Sequence, residues 1–116
     1  MYRVFVVDDE PPFIRAVTRA IEQYSEGFTV VGSACDGREA LEKIKDAEPD
    51  IVITDIKMPV MDGIALLKEL DKYHPEIHTM VLSGYQDFEY VKQALKVGVI
   101  DYLLKPIEKA QFAEAM

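Results

Sequence analysis

The sequence predicts a doubly wound α/β fold, a single parallel sheet with helices on both faces. Short β-branched runs alternate with segments whose apolar residues recur at helical spacing, and that alternation over short connections is the pattern of βα units. The runs are apolar throughout rather than at every second residue, as in Ile51-Val52-Ile53-Thr54. Such strands are buried on both faces, as the middle of a parallel sheet requires. A chain of 116 residues, 49% of them hydrophobic, is large enough for one core and not for two.

Arg3 to Val7 reads as a buried first strand, closed by Asp8-Asp9-Glu10 and Pro11-Pro12, and proline is tolerated in the first turn of a helix. Phe13, Val17, Ala20, Ile21 and Tyr24 follow at helical spacing and carry the first helix to about Ser25, with Gly27 ending the segment. Phe28 to Ala34 is the second strand. Asp36-Gly37-Arg38-Glu39 has capping-box spacing, with Asp36 in place of the usual Ser or Thr. Leu41, Ile44 and Ala47 form the buried stripe of the second helix, which Pro49-Asp50 breaks. The third strand, Ile51 to Thr54, delivers Asp55 where the loop opens to solvent. Pro59 and Gly63 punctuate the turn into a third helix striped by Leu66, Leu67 and Leu70. His74-Pro75 marks the next boundary. Thr79 to Leu82 is the fourth strand, ending at Ser83-Gly84. Phe88, Val91, Ala94 and Leu95 stripe a fourth helix, stopped by Gly98. Asp101 to Leu104 is the fifth strand, ending at Lys105-Pro106, and Ile107 to Met116 begins a fifth helix.

Composition narrows the function classes. No apolar run approaches the ~20 residues needed to span a bilayer, and the N-terminus enters a strand directly, with no visible signal peptide. The single cysteine, Cys35, has no internal disulfide partner, which fits a reducing cytoplasm. At the end of an apolar strand it reads as a buried small hydrophobe. A net charge of -8 disfavours nucleic-acid binding by this domain itself, because phosphates would meet a repelling field. His74 and His78 flank a loop and read as surface residues rather than ligands.

Right-handed crossovers constrain the topology without fixing strand order. We adopt the flavodoxin-like order 2-1-3-4-5, which sets strands one and three side by side at the switch point, where ligands bind beyond the strands' carboxyl ends. Those ends then bring Asp8 and Asp9, Asp55, Ser83 and Lys105 to one edge. Three packed carboxylates repel and require a cation, and oxygen ligands favour a hard divalent ion, magnesium above others in a cell. A carboxylate can also accept a phosphoryl group as an acyl phosphate, given in-line positioning and neutralisation of the phosphoryl oxygens. Asp8, Asp9 and Asp55 can hold the metal, Lys105 supplies a fixed cation, Ser83 a hydroxyl, and Gly84 leaves space. Singly, each has a plainer reading. Asp8 or Asp9 could cap the first helix, Asp62 the third, Ser83 could serve a turn and Lys105 the surface. Their joint placement at strand ends favours the chemical reading.

Val6-Val7-Asp8-Asp9-Glu10, Asp55-Ile56-Lys57-Met58-Pro59-Val60-Met61-Asp62-Gly63, Leu82-Ser83-Gly84 and Asp101-Tyr102-Leu103-Leu104-Lys105-Pro106 closely resemble the receiver domain of two-component response regulators, over nearly the whole of 1–116. The resemblance implies that Asp55 is the phosphoacceptor served by a histidine kinase. It implies that Asp9 binds Mg2+ directly, Asp8 mostly through a water, and that the Lys57 backbone carbonyl completes the protein ligands. Ser83 stands where the family has Ser or Thr, and Tyr102 at its aromatic switch position. A domain of this kind is no enzyme in the ordinary sense, since it catalyses only its own phosphorylation and dephosphorylation. Residues 83–90 with 101–106 look most like regulators carrying an AraC-type DNA-binding effector domain, which this chain lacks, and the fifth helix is shorter than the family's. The partners so implied are the kinase, that effector domain and a phosphorylation-dependent homodimer.

Other classes make different demands. A phosphatase of the haloacid dehalogenase kind needs a general acid two residues past its aspartate, where Lys57 stands. A flavodoxin-like binder needs a phosphate-cradling loop where Asp8-Asp9-Glu10 lies. A phosphorylation-independent adaptor would have no need of the full set of site residues.

Overall fold

The order along the chain is β1 (Tyr2–Val7), α1 (Pro11–Tyr24), β2 (Phe28–Ala34), α2 (Gly37–Ala47), β3 (Ile51–Thr54), α3 (Gly63–Tyr73), β4 (His78–Ser83) and β5 (Asp101–Leu104). The computed structural model describes residues 2–24, 26–56, 58, 60–83 and 101–104. The fourth and fifth helices expected from Phe88, Val91 and Leu95 and from Ile107 onward lie outside the described residues.

The five strands form one sheet in the order β2-β1-β3-β4-β5, and every pairing is parallel. This is the doubly wound order expected from the sequence. β1 to β4 are joined in turn through α1, α2 and α3, because parallel strands cannot be closed by a tight hairpin. β1 and β3 sit side by side at the point where the order reverses, with Val7 opposite Thr54.

Successive side chains of a strand point to opposite faces, and the core divides accordingly. Val4, Val6, Ile51, Ile53, Met80 and Leu82 pack on one face against Val17 and Ile21 of α1. Phe5, Val7 and Val52 pack on the other against Ala40 and Ile44 of α2 and Leu66 and Leu70 of α3. Each large apolar side chain buried this way contributes roughly 1.5–3 kcal/mol.

The helix ends follow from local chemistry. Asp36 caps α2, its Oδ1 accepting the Glu39 N–H at 2.8 Å. The return half of the expected capping box is displaced by one residue. Glu39 Oε1 accepts the N–H of Cys35 at 2.7 Å rather than that of Asp36. At the other end of α2 the Arg3 guanidinium donates to the carbonyl of Ala47, at 2.6 Å from Nη2, and to that of Glu48 from Nε. It satisfies carbonyls that a helix leaves without intrahelical partners.

Two sequence expectations are corrected here. Cys35 is exposed, not a buried hydrophobe, because β2 ends at Ala34 and the chain has already turned toward the α2 cap. The stripe of α2 is rotated from the expected one. Gly37, Ala40 and Ile44 are its buried residues, while Leu41 and Ala47 are only half-buried at its margin. Of the two histidines, His78 is exposed and His74 is half-buried at the C-terminal cap of α3. Among the described residues no helix is long and apolar enough to cross a membrane.

Candidate functional site

The site stands on the carboxyl ends of β1 and β3. One residue past β1, the Asp8 N–H donates to Ala34 O of β2 at 3.1 Å. One residue past β3, the Asp55 N–H donates to Val7 O at 2.9 Å. Since Val7 and Thr54 are register partners, Asp8 and Asp55 stand at the next level of the same two strands, held by ladder-type bonds. Two strands therefore fix the spacing of the two aspartates.

Local turns then aim the carboxylates. Asp8 Oδ1 accepts the N–H of Glu10 at 2.9 Å, an Asx-type turn that sends the chain away from the sheet. The Glu10 carbonyl accepts from Phe13 and Ile14 at 2.8 and 3.2 Å and so opens α1. Asp55 Oδ1 accepts its neighbour Ile56 N–H at 2.7 Å, and Thr54 Oγ1 donates to the Asp55 carbonyl at 2.9 Å.

The outcome is a cluster in which one carboxylate oxygen each of Asp8, Asp9 and Asp55 lies within 4.8 Å of the others. Asp8 is 3% and Asp55 5% exposed, while Asp9 is exposed. Asp55 does lie just beyond a strand end, but its side chain is buried, not open to solvent as the sequence suggested. Two like charges at such a distance repel by about 3 kcal/mol even at the effective dielectric typical of proteins. The donor set is all oxygen, partly buried and partly open to water, which fits a hard divalent cation of the magnesium type.

The loop from Asp55 to α3 closes tightly behind the cluster. Ile56 and Met58 are buried in the core. The Gly63 N–H donates to Ile56 O at 2.6 Å, and Asp62 caps α3 by accepting the Ala65 N–H at 2.8 Å. A Cβ at position 63 would overlap the carbonyl oxygen of Asp55 and lie 2.9 Å from Ile56 Cα. In the sequence Gly63 reads as turn punctuation only. Its second role, giving α3 room against the backbone of the acidic residue, is a tertiary contact that no local pattern announces.

The remaining sequence-predicted residues fall as follows. Ser83 ends β4, opposite Leu104 of β5, and Tyr102 lies opposite Val81. Since Thr54 pairs with Val81, Ser83 is at the same end of the sheet as Asp55. Lys57 and Lys105 lie outside the described residues.

Three comparisons bear on this geometry. The sequence pattern of the family described as response regulator receiver domain matches residues 4–116. The transcriptional regulatory protein YesN of Bacillus subtilis (strain 168) is 43% identical over 116 residues, which is 100% of this chain and 32% of that relative. The chain thus spans about a third of the length of the curated relative. Among solved structures, the signal receiver domain of the response regulator NarL from Mycobacterium tuberculosis superposes with a TM-score of 0.89 at 36% identity, covering 98% of this chain and 91% of that one. A chain of the CheX-CheY-BeF3-Mg+2 complex from Borrelia burgdorferi superposes with a TM-score of 0.90 at 31% identity, covering 98% and 85%.

Proposed function

The chain belongs to the response regulator receiver domain family, and from that premise we propose that it accepts a phosphoryl group on Asp55 and relays the change to an output domain. The observation that carries this reading is the convergence of Asp8, Asp9 and Asp55, with Asp55 5% exposed on the end of a central strand. A carboxylate held there by backbone bonds is a pre-positioned nucleophile, and positioning is most of what phosphoryl transfer asks of a protein.

In the proposed reaction an Asp55 carboxylate oxygen attacks the phosphorus of the donor. The bond from phosphorus to the leaving group breaks in line, and an acyl phosphate results. Asp9 and Asp55 would hold magnesium with the Lys57 carbonyl, and Asp8 through a water, and the ion would supply neutralisation of the phosphoryl oxygens. The Lys105 ammonium pairs with the same oxygens and the Ser83 hydroxyl donates to one of them. No carboxylate stands two residues past Asp55, where Lys57 lies, so the phosphatase alternative lacks its general acid. The Borrelia CheX-CheY complex is one with BeF3 and Mg+2, and a phosphate mimic with that ion is the pair this site would take.

The donor in the cell is proposed to be a histidine kinase, in the cytoplasm. The output is proposed to be a DNA-binding domain of the AraC type, on the likeness of residues 83–90 and 101–106, with transcription as the regulated process and a phosphorylation-dependent homodimer as its active form. The similarity to YesN, a transcriptional regulatory protein, supports the regulatory part.

The test is intact-mass spectrometry after incubation with acetyl phosphate, with and without magnesium. One phosphoryl group is expected, only with magnesium, and none in Asp55→Asn, whose amide keeps the shape but is a poor nucleophile. Phosphorylation of Asp55→Asn, or of another residue in the wild type, would overturn the assignment.

A further inference from the structure

The loop that follows Asp55 is supported from a second element. The N–H of Gly37, the first residue of α2, donates to Met61 O at 3.0 Å. A Cβ at position 37 would lie 2.8 Å from that same carbonyl oxygen and 2.8 Å from Met61 Cγ, closer than side-chain carbons approach either. Gly37 is buried and in ordinary helical backbone, so it is not there for a left-handed conformation. Glycine is a poor helix former, and at this position the need for it comes from the closeness of Met61.

Met61 is two residues from Gly63, and the segment between them has no slack. Asp62 is fixed as the α3 cap, Gly63 is bonded to Ile56 O, and Gly63 abuts the Asp55 carbonyl with no room for a methyl group. A displacement of the Met61 carbonyl is therefore passed to Gly63 and from it to the backbone of Asp55. We propose that Gly37 is a positioning residue for the phosphoacceptor: by letting the start of α2 close onto Met61, it sets the place of the Asp55 loop from outside the site. The proposal rests on Asp55 being the acceptor. It assigns to the α2 N-terminus a part in the reaction although no atom of α2 is expected to touch the phosphoryl group.

Gly37→Ala forces the Met61 carbonyl outward. Misplacing a reacting group by about an ångström costs up to roughly a hundredfold in rate, so the expected fall is about ten- to a hundredfold. It should appear in the maximal phosphorylation rate at saturating acetyl phosphate and magnesium, with the half-saturating donor concentration little changed. Gly32→Ala is the control. Its Cβ would lie 2.9 Å from the Phe5 ring, with no atom of the acceptor loop among its three nearest neighbours, so it makes a clash of similar size away from Met61 and should leave that maximal rate alone. Both variants are measured at a temperature where circular dichroism shows them fully folded. If Gly37→Ala does not fold, Gly37→Ala with Met61→Ala removes the clash with Met61 Cγ and keeps those with its carbonyl oxygen and, at 3.1 Å, its Cβ, and the same loss of rate is expected.

Amide NMR shifts supply a readout that needs no phosphoryl transfer. In Gly37→Ala the Asp55, Ile56 and Gly63 amides should move along with that of Met61. Unchanged maximal rate in a folded variant, an equal loss in Gly32→Ala, or shifts confined to the neighbours of Gly37 and Met61 would each overturn the proposal. A wild-type chain that takes up no phosphoryl group overturns the acceptor reading instead, and the amide shifts still decide whether Gly37 controls the loop.

Discussion

Asp8 shows how much one residue's environment sets. It is buried beside Asp55, with Asp9 adjoining, and like charges held this close repel one another. Asp8→Asn keeps an oxygen for the Glu10 N–H while removing one of those charges. In metal-free buffer the variant should gain about 1 kcal/mol of stability, the part of a roughly 3 kcal/mol repulsion that neighbours and water do not already offset. The wild type, by contrast, should be stabilised by magnesium, by about 2.7 kcal/mol at a hundred times its dissociation constant, and Asp8→Asn should lose most of that gain. Thermal melts with magnesium and with a chelator measure both effects, and an unaltered magnesium response in the variant would remove Asp8 from the site. Residue identity at the strand ends was legible in the sequence because each acid directly follows an apolar run. Burial was not, and Asp55 and Cys35 exchange their expected exposures for one reason. A residue just past a strand either stays under the loop it enters or leaves it, and only the loop's path decides. Gly63 returns against the backbone carbonyl of Asp55, whereas Cys35 departs into the turn before Asp36.

Elements were read more securely than their faces. β2 and β3 match the expected bounds, and α1 runs Pro11–Tyr24, because apolar runs and proline or glycine stops are local signals. The rotation of α2's buried stripe toward Gly37 and Ala40 depends on which side of α2 meets Met61, a contact with a segment more than twenty residues away. Caps, being local, are where sequence and structure agree best. Asp62 accepts the Ala65 N–H at 2.8 Å and so starts α3 where Gly63 must meet Asp55. Replacing an N-cap aspartate with alanine costs about 1 kcal/mol. Asp62→Ala should therefore lower the urea midpoint by that equivalent, with the slope of the transition unchanged. An unchanged midpoint would mean that packing of Gly63, not the cap, holds the start of α3. Arg3 shows the opposite case, a cap invisible in sequence. Its guanidinium closes α2 from β1, a long-range bond that no spacing rule predicts.

At the scale of the whole molecule, the question is how a charge added at Asp55 reaches the sheet edge. β3 pairs with β4 and β4 with β5, so the acidic cluster and the edge strand are two strands apart. Ser83 ends the strand between them, and Tyr102 sits opposite Val81, two residues before Ser83. A phosphoryl group brings about -1.5 to -2 charge and strong acceptor oxygens. The proposed relay has the Ser83 hydroxyl donate to one of those oxygens, draw its loop inward and open space that Tyr102 takes up, changing the face that carries β5. Hydrogen bonds to charged groups contribute about 1.5–3 kcal/mol, equivalent to a factor of roughly ten to a hundred between two conformations. Removing one such bond therefore cancels much of a two-state bias without removing the proposed nucleophile, Asp55. Ser83→Ala should still be phosphorylated in the presence of magnesium, more slowly, yet show a much smaller response along β5. Amide and aromatic NMR shifts of Tyr102, with and without beryllofluoride, give that response directly. A wild-type shift pattern in Ser83→Ala would place the coupling elsewhere. Loss of phosphorylation altogether would make Ser83 part of the transfer step rather than of its readout.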